Sequence, residues 1–186
     1  MGKINKLLLG RGTAHIYIQL VVPAISGFVF WIILSHTVSS SVIGTLSTII
    51  ALTEILSYIA GIGTHDSIQR FLGRTLTEQK ISDSRMFVAA YISIITLGII
   101  ISSSLILFGG SLFEFTENYT TIKFILILLV VSSTIRTLLY SIVISSLRTD
   151  VLTIVTIVST FVKVVLSLIL VLFGADAVGL SISYIF

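Results

Sequence analysis

Apolar residues run in long blocks along this chain, and short polar stretches punctuate them. The blocks predict five membrane-crossing helices, about Ile16–Leu34, Val42–Ile62, Met86–Phe108, Phe124–Leu147 and Val151–Phe173. Each is long enough to cross a hydrocarbon core of about 30 Å at about 1.5 Å of helix per residue. His36–Ser41 reads as a short turn, Gly63–Arg85 as the one long polar segment, and Gly109–Lys123 as a loop. Arg148, Thr149 and Asp150 leave room only for a tight helical hairpin. Pro23 and Gly27 fall inside the first run, where neighbouring helices can satisfy the carbonyl that a proline frees. After Phe173 the segment 174–180 (GADAVGL) turns into a new apolar run that stops at Phe186, too soon to span. The expectation is an all-α polytopic bundle of five transmembrane helices plus an incomplete sixth. Residues 1–186 then form a single transmembrane domain, either cut short in helix six or ending in a piece that docks without crossing.

Three charges stand inside these blocks. Arg136 is the lone charge between Phe124 and Leu147, Lys163 between Val151 and Ala175, and Glu54 between Val42 and Ile62. A charge at mid-membrane costs a few kcal/mol, so it faces a bundle interior, a partner or a watery path. Helical spacing places polar company beside each. Thr156, Ser159, Thr160 and Ser167 share a face with Lys163, and Ser132, Ser133 and Tyr140 share one with Arg136. Ser47, Ser57, Tyr58 and Gly61 line up with Glu54, and Gln19, Pro23, Ser26 and Gly27 align on the first helix. Small polar residues also serve helix contacts, and Glu54 could simply neutralise one cation. Two cations and one acid cannot all pair, however, and the surplus positive charge suits an anion such as phosphate.

Mean hydropathy of +1.15 with 10% charged residues is outside the range of soluble domains. Basic residues form no dense patch with interleaved aromatics, so nucleic acid is not the expected partner despite a pI near 9.3. Lys3, Lys6, Arg11, Arg70, Arg74, Lys80, Arg85 and Arg148 fall on one side of a five-span topology, and Lys123 with Glu114, Glu117 and Asp176 on the other. That bias predicts a cytoplasmic N-terminus. Phe108, Phe113, Phe115, Tyr119 and Phe124 would then ring the outer interface, where Asn118 opens an acceptor sequon. In the polar segment, Ile68, Phe71, Leu72 and Leu76 share a helical face with Arg70 and Arg74 turned away, a pattern that suits an interfacial helix or a snorkelling helix end. The chain has no cysteine, and His15, His36 and His65 lie in separate segments, so no metal site or cofactor is expected. Paired carboxylates, a nucleophile elbow and a Gly-rich phosphate loop are missing too, so the chain does not read as an enzyme.

The segments 44–52 (GTLSTIIAL) and 61–74 (GIGTHDSIQRFLGR) resemble the second helix and following cytoplasmic loop of polysaccharide-biosynthesis flippases, members of the multidrug/oligosaccharidyl-lipid/polysaccharide (MOP) exporter superfamily. Gly61, Gly63, Ser67, Arg70 and Phe71 match the loop pattern Gly-x-Gly-x-x-x-Ser/Ala-x-x-Arg-Phe, with Arg74 just beyond, and 174–180 resembles the start of that family's sixth helix. The resemblance implies a plasma-membrane translocator of lipid-linked oligosaccharide or polysaccharide precursors, working by alternating access between two six-helix lobes. Cations in the cavity of such proteins hold the carrier's (di)phosphate, a role that falls here to Arg136 and Lys163, with Glu54 as ion-pair partner or coupling site. This chain would supply only the N-terminal lobe, so a second lobe or a homo-oligomer is expected as partner. The alternatives are a small-molecule or drug antiporter of the same superfamily, and a non-transporting membrane subunit or truncated remnant.

Overall fold

The computed structural model describes residues 2–61, 65–77, 81–109, 119–146, 149–174 and 177–183, with side-chain surroundings described from residue 13 onward except at 76, 77, 81–84, 119 and 178. The described residues form an all-α bundle: α1 (Gly2–Thr37), α2 (Ser40–Gly61), α3 (His65–Thr77), α4 (Ile81–Phe108), α5 (Tyr119–Ser145), α6 (Thr149–Leu172) and α7 (Ala177–Ile182). Five of these are long and apolar enough to cross a membrane: Thr13–Thr37, Ser40–Gly61, Arg85–Phe108, Thr120–Ser145 and Thr149–Leu172. The protein is therefore a polytopic, multi-pass helix bundle. α1 runs unbroken through Pro23. Both α1 and α4 begin well before their apolar blocks, α1 running through Gly10 and Gly12 despite their low helix propensity.

Burial divides the bundle in two. In the spans of α4 and α5, 28% of the residues are buried, against 11% for α1 and 6% for α6, so α4 and α5 are central and the α1–α6 pair is peripheral. The central unit packs Ile49, Leu56 and Ala60 of α2 and Ile106 of α4 against Ile122, Leu126, Leu129 and Val130 of α5. α2 and α4 approach closely within it. Gly98 and Ser102, one turn apart on α4, face Ala60 and Leu56, one turn apart on α2. A Cβ on Gly98 would overlap the Ala60 backbone, and the buried Ser102 hydroxyl donates to the Leu56 carbonyl at 3.2 Å. Small residues that let two backbones approach, with a hydroxyl bonding across, are how membrane helices associate where lipid gives little hydrophobic drive.

α3 occupies one end of this unit. Ile68 and Leu72 are buried against Tyr91 and Ile95, Phe87, Val88, Leu138 and Ile142 pack around them, and Phe71 stacks on Phe87 at 5.0 Å. Ile68 and Leu72 of its apolar face therefore meet α4 and α5, while Arg70 and Arg74 point outward as the periodicity requires. At the opposite end α7 folds back into the bundle. Ala177 and Leu180 are buried with Phe30 and Leu34 of α1 and Leu46 of α2, and the Ser183 and Ser167 hydroxyls lie 2.9 Å apart. The final described segment thus docks and joins the two parts of the bundle.

Candidate functional site

Glu54, Arg136 and Lys163 lie within roughly 5 Å of the middle of their spans, at about 1.5 Å per residue. Arg136 and Glu54 lie within electrostatic reach of Lys163. The Lys163 ammonium sits 5.9 Å from the centre of the Phe30 ring, within cation–π range, and Phe30 in turn meets Trp31 edge-on at 5.4 Å. Polar companions of Lys163 fall as their spacing predicts. Thr156, Ser159 and Thr160 are half-buried and Ser167 is buried, whereas Ile154, Val155, Ile157, Val158 and Phe161 face outward.

Glu54 and Arg136 differ from Lys163 in exposure. Both side chains are exposed on the surface of the chain, and no ion pair joins them among the described residues. Glu54 and Arg136 are thus reachable from outside the chain, beside the less exposed Lys163. Glu54 also lines a cleft of about 90 Å³ with Ser57, Tyr58, Gly61, Tyr91, Ser133 and Thr137, and His65 lines its α3 end. The stripe on α2 is thus brought together with the serine and threonine face of α5, which spacing within either helix alone could not reveal.

A second polar cluster ties the parts together at the α3 end. Gln19, buried on α1, donates from Nε2 to the Thr149 carbonyl and to the Thr153 hydroxyl, both at 3.0 Å, and accepts from the Tyr140 hydroxyl at 3.2 Å. His15 Nδ1 lies 3.1 Å from the same Thr153 hydroxyl. Sequence reading singled out Gln19 and Tyr140 but not His15 or Thr153, whose partners are 138 residues apart. Interhelical hydrogen bonds in membranes are worth on average about 0.6 and at most about 1.7 kcal/mol each. Gln19→Leu removes three of them and Tyr140→Phe one, so the first variant should lower the melting temperature in detergent clearly more than the second; equal melting temperatures would contradict the network.

Of the loop residues resembling the flippase motif, Gly61 borders the cleft, Ser67 and Arg70 are exposed on α3, and Phe71 and Arg74 belong to the same docked helix. Gly63, the sequon residue Asn118, and the Leu76, Lys80 and Arg148 side chains lie outside the described residues, as do Phe113, Phe115 and the side chains of Lys3, Lys6, Arg11 and Tyr119. Among the described residues no three His, Cys, Asp or Glu side chains group as metal ligands would. No protein-family model, no curated protein and no solved structure matches the chain.

Proposed function

We propose that the chain is the N-terminal lobe of a membrane translocator for lipid-linked oligosaccharide or polysaccharide precursors, with Arg136 and Lys163 holding the carrier's phosphate. The observation that carries this reading is that Arg136 and Glu54 lie within electrostatic reach of Lys163 near mid-membrane. Guanidinium and ammonium groups make the strong, charge-assisted hydrogen bonds that suit a phosphate. The short segments resembling polysaccharide flippases point the same way, and the bias of Lys and Arg supports a cytoplasmic α3 end.

The lobe reading is supported by exposure. An arginine or acid facing acyl chains at mid-span costs about 2.5–3.5 kcal/mol on insertion scales. Exposed Glu54 and Arg136 therefore call for a watery cavity walled by a second lobe or a second copy. An exporter of organic cations fits less well, because such a cargo needs surplus acid where this site has surplus base. In sealed vesicles carrying the native assembly, the Arg136→Gln, Lys163→Gln double variant should insert normally and fail to move a lipid-linked sugar across the bilayer. Undiminished transport by that variant would overturn the proposal.

A further inference from the structure

Glu54 has no hydrogen-bond or ion-pair partner among the described residues, although it sits close to mid-span. The cleft it lines follows one face of α2 from Glu54 through Ser57 and Tyr58 to Gly61, two helical turns or about 10 Å, and ends at His65. Its far wall is Ser133, Thr134 and Thr137 of α5, with Tyr91 and Ile95 of α4 between. Thr134 and Thr137 donate to the carbonyls of Val130 and Ser133 at 2.7 and 3.0 Å, which leaves their oxygens as acceptors. The Ser57 hydroxyl oxygen is buried and has no partner. A volume of about 90 Å³ takes roughly three waters at about 30 Å³ each, enough for a file between the α3 end and the acid.

We propose that this cleft is a proton path that connects the α3 end of the bundle to the Glu54 carboxylate, with His65 at its mouth. The step is a simple protonation. A proton from bulk water passes along the file, the Glu54 carboxylate becomes a carboxylic acid, and no other bond changes. A resident metal ion fits the cleft poorly. Hard cations take about six oxygen ligands, and here there is one carboxylate among hydroxyls on helices whose carbonyls are already bonded. The titratable and charged groups around Glu54 are Tyr58 on its own helix, His65 on α3, Tyr91 on α4, Arg136 on α5 and Lys163 on α6; α1 and α7 contribute no residue to the cleft. Protonation removes the negative charge that lies within electrostatic reach of Lys163. The path does not depend on what Arg136 and Lys163 bind.

The chain contains no cysteine, so single thiols can be placed without background. Full-length Ser57→Cys and Thr137→Cys variants in sealed vesicles should react with a charged, membrane-impermeant thiol reagent added at the α3 side and fail to react from the other side. Ser67→Cys on exposed α3 identifies that side, and Leu97→Cys, exposed on α4 near the middle of its span, should react from neither. Protection of both cleft thiols from the α3 side, or equal reaction from both sides, would overturn the path. Should the variants fold poorly, the unsubstituted chain still decides. A hydrophobic carbodiimide, which attacks protonated carboxyls, should label Glu54 more as the α3-side pH falls, with the labelling lost in Glu54→Gln. Labelling of Glu54 that ignores α3-side pH would refute the proposal.

Discussion

Gly98→Ala should destabilise the bundle by about 3 kcal/mol, the upper end of what overpacking a membrane or soluble core costs. The added methyl would meet the carbonyl oxygen, carbonyl carbon and Cα of Ala60, and backbone cannot swing aside as a long side chain does. α2 and α4 must separate, which also stretches the bond from the Ser102 hydroxyl to the Leu56 carbonyl. Gly44→Ala and Gly27→Ala are matched controls inside helices, where a Cβ meets nothing within 4 Å. Those two should be neutral or gain up to about 1 kcal/mol from helix propensity. The opposite signs make the comparison decisive: thermal melts of the purified protein should drop for position 98 and hold or rise for 27 and 44. Equal melting temperatures at all three would mean the α2–α4 crossing is not as close as described.

Removing the two central cations should weaken binding of a phosphate-bearing lipid more than any other substitution in the chain. A hydrogen bond to a charged group contributes about 1.5–3 kcal/mol, or roughly tenfold to a hundredfold in Kd for each cation lost. Arg136→Lys should already cost affinity, because an ammonium cannot reproduce the planar fork of a guanidinium. Glu54→Gln should act with the opposite sign. It deletes the negative charge that lies within electrostatic reach of Lys163, and so leaves more positive charge for the ligand. A series in which Arg136→Gln and Lys163→Gln weaken binding while Glu54→Gln strengthens it would be hard to explain by general loss of structure.

The five spans were legible because hydrophobic length alone specifies a membrane helix. Lys163 and its stripe were legible for a related reason: one helix carries both, and a period of 3.6 sorts Thr156, Ser159, Thr160 and Ser167 onto its less exposed side. What covers a face was not legible. The apolar side of α3 reads equally well against lipid or protein, since periodicity reports that Ile68 and Leu72 are buried but not by what. Gly98 gave no signal because one glycine in an isoleucine-rich run resembles any other, and its meaning lies in Ala60 on another helix. The cleft beside Glu54 was half visible, as the α2 stripe; its α5 wall and His65 at the α3 end come from the fold.

Trp31 is the single tryptophan of the chain and packs edge-on against Phe30, the ring beneath Lys163. Its fluorescence is therefore a built-in reporter of the central cluster. The most direct measurement is a titration of the purified protein with a short-chain isoprenyl diphosphate, followed through Trp31, in the unsubstituted chain and in the Arg136→Gln, Lys163→Gln double variant. A saturable fluorescence change that the double substitution abolishes is the result expected of a phosphate site. The same Kd in both proteins would contradict it and remove the phosphate-binding role from Arg136 and Lys163.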